Sequence, residues 1–138
     1  MHDENCIFCK IVQGLIPSSK IYEDGSSLAF LDIAPFTKGH TIVIPKEHYM
    51  NMLDFPEKEM TAYFSAVKNV TIKIKEKLGA DGINIMQNNF KAAGQVVNHL
   101  HFHVIPRWEN DRAFPIRVKK LNLTKEELSE ILLKINAP

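Results

Sequence analysis

Between Gly94 and Arg107 the chain reads G-Q-V-V-N-H-L-H-F-H-V-I-P-R, with a histidine at every second position from His99 to His103. A period of two belongs to a β-strand, which puts His99, His101 and His103 on one face and Leu100, Phe102 and Val104 on the other. The apolar face demands a core. The imidazole face brings three donors, three acceptors and pKa values near neutrality, which are costly to bury without partners or a task. Three readings compete: a strand with satisfied surface histidines, a zinc or iron site of the His-x-His kind, or nucleophilic and electrostatic chemistry on an anion such as a phosphate. Spacing alone does not choose between the last two.

The remaining chain supplies partners for such a strand. Ile7, Phe8, Ile11 and Val12 suggest a short helical stretch, ended by Gly14 and by Ile16-Pro17, whose proline forces extended backbone. Lys20 to Glu23 and Ser27 to Leu31 read as strands around the turn signal Asp24-Gly25. His40 to Ile44 reads as a third strand that stops at Pro45. Asp54 with Glu57 is a capping-box signature for a helix whose apolar stripe is Met60, Tyr63, Val67, Val70, Ile74 and Leu78, with Gly79 as its end. Ala62, Ala66 and Ile72 give that helix a second apolar side. Gly82 to Asn88 alternates into a fourth strand, and Thr124 with Glu127 opens a last helix, 124–136, with the stripe Leu128, Ile131, Leu132 and Ile135. Strands and helices segregate and hairpin signals favour antiparallel pairing, which predicts an α+β domain spanning residues 1–138.

Charge excludes some functions. Seventeen Lys and Arg against 16 Asp and Glu leave a net charge of +1, so no overall field favours nucleic acid or an anionic membrane, and phosphate binding has to be local. No apolar run approaches the roughly 20 residues that span a bilayer, and the opening M-H-D-E-N lacks a signal-peptide pattern; the expected location is the cytoplasm.

Cys6 and Cys9 are the only cysteines. A redox pair would follow a strand and open a helix, whereas only five residues precede Cys6; half of a zinc site or two buried thiols remain. A zinc site would need histidines to complete it.

The letters around the histidine row go further than its spacing. H-L-H-F-H-V-I, preceded by G-Q-V and followed by P-R, resembles the signature of the histidine triad (HIT) family of nucleotide hydrolases and transferases. D-I-A-P-F-T-K-G-H-T-I-V-I-P-K, from Asp32 to Lys46, resembles the family's other block, and I-F-C-K-I-V resembles its opening. The resemblance implies a five-stranded antiparallel sheet with helices packed on one face, a homodimer, and cleavage at the α-phosphate of purine nucleotide phosphoramidates or dinucleoside polyphosphates through a nucleotidyl-histidine intermediate. It makes His101 the nucleophile, His99 the residue whose carbonyl fixes the tautomer of His101, and His103 and His40 the phosphate contacts, with no catalytic metal. Gln95 falls at the family's phosphate-side glutamine and Asn88 at its amide beside the scissile bond. Asp32 falls at the ribose, Phe8, Phe30 and Ile33 around the base, and Val96 and Val97 also on the nucleotide-binding side.

The resemblance also implies a structural Zn²⁺ held by Cys6, Cys9, His48 and His99, with His2 as an alternative fourth ligand. Two departures stand out. Val96 occupies the place where Hint-type members carry a serine that protonates a leaving amine, and V-I-P-R-W at Val104 to Trp108 is closer to the dinucleoside polyphosphate hydrolase (Fhit) branch, in which Arg107 would reach distal phosphates or simply end the strand. The rival reading is a nucleotide-binding, zinc-stabilised interaction module with vestigial hydrolase activity.

Overall fold

The computed structural model describes residues 1–114 and 119–138. Its elements in chain order are α1 (Ile7–Val12), β1 (Lys20–Glu23), β2 (Ser27–Leu31), β3 (Thr41–Pro45), α2 (Glu57–Leu78), β4 (Gly82–Met86), β5 (Phe102–Arg107) and α3 (Lys125–Ile135), with a 3₁₀ turn at Lys91–Ala93. The five strands form one sheet in the order β1-β2-β3-β5-β4, each pair antiparallel. Among the described residues no helix is long and apolar enough to cross a membrane.

Strand alternation divides the sheet into two chemically different faces. Ala29, Val43, Leu100, Phe102 and Val104 point to α2 and form the main core with Tyr63, Val67, Val70 and Ile74 from its inner stripe. Burying side chains of this size stabilises by roughly 1.5–3 kcal/mol each, and the Tyr63 hydroxyl finds a partner by donating to the Val43 carbonyl at 2.8 Å. Leu28, Phe30, Ile42 and Ile44 point the other way, where Phe8 and Cys9 of α1, with Cys6, cover them. The long α2 packs on one face of the sheet, and the apolar residues of the short α1 cover part of the other beside the cavity.

Several boundaries shift for local reasons. The helix-long reading of residues 57–78 holds, and Gly79 ends it in the left-handed conformation at φ +60°, but the N-cap is Pro56, not Asp54. Asp54 instead accepts from the backbone N–H groups of Met50 and Asn51, closing the preceding loop. Ala66 proves to be core, whereas Phe64 is a half-exposed ring at the edge of the α2–sheet contact, edge-on to Phe102. The fourth strand stops at Met86, because Gln87 and Asn89 pair their side-chain amides and turn the chain away.

The histidine strand itself pairs only from Phe102 onward. Continuing its register with β3 would set Leu100 opposite Pro45, which has no N–H to give. Leu100 donates to Tyr49 instead. His99 to His101 keep the strand's alternation without its ladder, and that frees the His99 carbonyl for another use. The capping box of α3 forms as the sequence predicts, yet every residue of that helix is exposed.

Candidate active site

Two side-chain clusters share the imidazole face. The first lies at the N-terminal end of the histidine row. Cys6 is the N-cap of α1 and Cys9 sits in its first turn, so one helical turn brings both sulfurs to the same place. The Nδ1 of His99 lies 3.4 Å from Cys6 Sγ and 3.6 Å from Cys9 Sγ, and the Nδ1 of His48 lies 3.4 Å from Cys9 Sγ. All four ligand atoms fall within 4.8 Å of one another. His99 Nε2 faces the Pro45 carbonyl at 2.8 Å, which requires an N–H there and leaves the Nδ1 lone pair aimed at the sulfurs. The Cys6 and Cys9 sulfurs accept from the backbone N–H groups of Cys9 and Asp3. Two soft sulfurs, two imidazole nitrogens, one of them on a ring whose tautomer is fixed, and hydrogen bonds to the sulfurs fit a tetrahedral zinc site. His2 is fully at the exposed terminus and is not in the cluster.

The second cluster begins one histidine later. His101 Nδ1 faces the His99 carbonyl at 2.7 Å and must donate to it, so its Nε2 lone pair is free. His99 thus serves both clusters, its ring in one and its carbonyl in the other. His40 Nδ1 accepts from the backbone N–H of Phe36 at 3.1 Å, which puts the proton of the neutral ring on Nε2. That proton meets His103 Nδ1 at 2.9 Å, so His103 carries its own proton on Nε2. A backbone amide therefore sets two tautomers in series and turns His103 into a donor. Asp32 lies beside this chain, with Oδ2 3.6 Å from His40 Nε2 and Oδ1 accepting from Ala34 N–H. Asp32, His40 and His103 also fall within metal-ligating distance of one another, but a protonated His40 Nε2 has no lone pair for a cation.

Burial keeps these rings neutral. It pushes His99 and His103 down to about 4, and lowers His101 and His40, against which the Asp32 carboxylate works in the opposite sense. An ordinary histidine titrates near 6.5, so the unfolded chain takes up protons between about 6.5 and about 4 that folded His99 and His103 refuse. Stability is expected to fall as pH drops through that window. A melting temperature that stays flat from pH 6.5 to pH 4 would contradict this.

A cavity of about 460 Å³ opens over the second cluster, and Phe8, Phe30, Asp32, Ile33, Asn88, Val96, Val97, His101 and His103 line it. His40 stands behind His103. Gln95 does not join them: its amide donates to the Met50 and Val97 carbonyls and accepts from Phe90 N–H, which makes it a staple for the loop instead of a cavity wall. Arg107 is likewise committed, gripping Asp111 with two nitrogens, bonding Asn84 and lying over the Phe114 ring. Phe36 went unnoticed in the sequence; its ring stacks on His40 with centroids 5.1 Å apart. Ser18 and Ser19, also overlooked, form part of the cavity rim.

The structure is thus a five-stranded antiparallel α+β sheet that sets one histidine with a free Nε2 beside a second that donates, under a largely apolar cavity. The HIT domain family model matches residues 13–110, and this chain belongs to that family. It is 48% identical over 130 residues to an uncharacterized HIT-like protein of Methanocaldococcus jannaschii, covering 94% of this chain and 98% of the relative. It is 41% identical over 132 residues to an adenosine 5'-monophosphoramidase of Schizosaccharomyces pombe, covering 91% and 96%. Among solved structures, a HIT family protein of Bacillus subtilis superposes with TM-score 0.87 at 44% identity over 96% of this chain and 95% of that one. A zinc-bound histidine triad protein of Mycobacterium smegmatis superposes with TM-score 0.76 at 38% identity over 96% of both chains.

Proposed function

We propose that this protein is a nucleotide hydrolase or nucleotidyl transferase that cleaves at the α-phosphate of purine nucleotide phosphoramidates or dinucleoside polyphosphates. The observation that carries this reading is the free Nε2 of His101, oriented by the His99 carbonyl and exposed to the same cavity as the His103 donor. In the first step His101 Nε2 attacks phosphorus, forming a P–N bond as the bond to the leaving group breaks. In the second, water displaces the nucleotidyl group and returns the histidine. His103, held by His40, donates to a nonbridging oxygen where charge develops. Asp32 accepts from the ribose hydroxyls, Asn88 lies by the scissile bond, and Phe8, Phe30, Ile33 and Val97 enclose the base.

Val96 is exposed and has no proton to donate. Leaving groups that depart as anions, such as nucleoside phosphates, are therefore expected to turn over better relative to amines than they would with a hydroxyl at that position. Turnover measured across AMP-lysine, an adenylate amide and diadenosine polyphosphates tests the function. Release of AMP from at least one of them supports the enzyme, and tight AMP binding without any turnover supports the rival interaction module.

Charge stabilisation by histidines leaves no role for a catalytic cation. Full activity is expected in citrate, which removes Mg²⁺ and leaves tightly held zinc; reversible loss there would contradict the mechanism. The Cys6, Cys9, His48 and His99 cluster is proposed to hold a structural Zn²⁺, whose chemistry is limited to clamping α1 to the histidine strand. Self-association through α2 and the β4 edge, where Phe64 and Ile85 are partly exposed, is part of the same proposal, and sedimentation showing monomer at micromolar concentration would remove it.

A further inference from the structure

Asp3 turns each of its polar groups to the Cys/His cluster or to the turn that carries it. Its backbone N–H donates to Cys9 Sγ at 3.4 Å, and its carbonyl accepts from the Cys6 N–H at 3.1 Å. Its Oδ1 accepts from Asn5 N–H at 2.8 Å, closing the turn that precedes α1. Its remaining oxygen, Oδ2, faces Nε2 of His48 at 3.9 Å. One residue thus meets three of the four groups that the cluster offers a metal. The chain ahead of it is held to the same place: the Met1 carbonyl accepts from His48 N–H at 3.2 Å, and the terminal ammonium pairs with Glu47.

A histidine that ligates a metal through one ring nitrogen keeps a proton on the other, and that N–H is almost always given to a carboxylate, a carbonyl or water. His99 gives its own to Pro45. His48 has Nδ1 on Cys9 Sγ and Nε2 toward Asp3. We propose that Asp3 is a positioning residue of the Cys6–Cys9–His48–His99 site, its Oδ2 accepting from Nε2–H of His48 and so holding that ring with Nδ1 toward the metal.

The proposal rests on the structural-zinc reading of the cluster. A cation at Nδ1 draws electron density from the ring and strengthens Nε2–H as a donor, and a charged acceptor forms a stronger bond with it than a neutral one. The Asp3 side chain is 46% exposed, which leaves its carboxylate room to turn the remaining distance. Both imidazole ligands then have a fixed tautomer, one set by the β3 carbonyl and the other by the N-terminal segment.

Zinc affinity of the folded protein, read by competition with a chromogenic chelator, tests this. Asp3→Asn keeps an oxygen for the Asn5 turn and presents an amide NH₂, a donor, to His48. It is expected to weaken zinc binding by roughly 10–100-fold. Glu4→Gln removes the same charge one residue away and is expected to change affinity by less than about threefold. In a His48→Cys background, which keeps four ligands but has no ring N–H, Asp3→Asn should also cost less than about threefold, whereas an undiminished loss there would assign Asp3 to the turn alone and overturn the proposal. Long-range ¹⁵N–¹H spectra give a second reading that needs no altered ligand. Zinc-loaded parent is expected to show His48 as the Nε2–H tautomer with a slowly exchanging proton, and Asp3→Asn to lose that protection; equally fast exchange in both would overturn the proposal. A parent that holds no zinc would remove the cluster reading and this role with it, while a parent and an Asp3→Asn variant that hold zinc equally tightly would remove only the role of Asp3.

Discussion

His101→Ala is expected to lower turnover by roughly 10⁴-fold or more, because it removes the ring nitrogen in the cavity that combines a free lone pair with a hydrogen-bonded orientation. The fold should hardly notice. His101 is buried but packs edge-on against Phe8 and His103 and leaves a cavity next to an existing one, so the melting temperature should change little. His101→Gly with added imidazole should regain part of the rate, since free imidazole can occupy the vacated space and attack in the same direction. Steady-state rates with and without imidazole check this, and an alanine variant of undiminished rate would sink the assignment. His103→Ala is expected to cost less, because it deletes one donor to developing charge and leaves the nucleophile in place.

The second large effect is expected on stability. Cys6→Ser and His48→Ala each remove one ligand of the Cys/His cluster, leaving a partly buried set that no longer closes on a tetrahedral ion. Structural zinc contributes folding free energy directly. A loss of about 3 kcal/mol would lower the melting temperature of a chain this size by roughly 10 °C. The same variants should retain most of the rate at His101, because the proposed contact of His99 with that ring is made by its backbone carbonyl, not by its side chain. Metal analysis of protein purified without added zinc gives the complementary reading: close to one equivalent in the parent and a marked drop in both variants. A stoichiometry near zero in the parent would make the cysteines ordinary core thiols.

The parts of this structure that were legible in the sequence are those governed by a period. The two faces of the histidine strand, the inner stripe of α2 and the Thr124–Glu127 box all follow from alternation or helical spacing, and the structure shows each. What escaped depends on groups far apart in the chain. Asp54 and Glu57 have the spacing of a capping box, but the loop at Met50 and Asn51 competes for the carboxylate and wins it. Nothing local says that Pro45 will end the ladder of β5, since that needs the register between β3 and β5.

Among the site residues, the Cys-x-x-Cys spacing left half of a zinc site and two buried thiols both open, while His48 and His99 came from the family resemblance, and the structure draws both to the sulfurs. Gln95 shows the limit of that route. Its position in the sequence matches a phosphate-side glutamine, yet in this structure its three hydrogen bonds tie a loop together. Phe36 acts through a backbone N–H, which no side-chain pattern reveals; only its place four residues before His40, in the glycine-containing stretch P-F-T-K-G-H, could have drawn notice. Gly39 there adopts φ +99°, a backbone conformation that L side chains rarely adopt, so a side chain at this position would strain the turn that delivers His40.

The central claim is that a nucleotidyl group passes through His101, and trapping the adduct tests it most directly. Protein mixed with a nucleotide substrate, quenched and digested without exposure to acid, is expected to yield one peptide, containing His101, that carries the added mass of a nucleoside monophosphate on the imidazole. The same experiment on His101→Ala should yield none. An adduct on another residue, or rapid turnover in which no adduct forms even at the shortest quench times, would contradict the account.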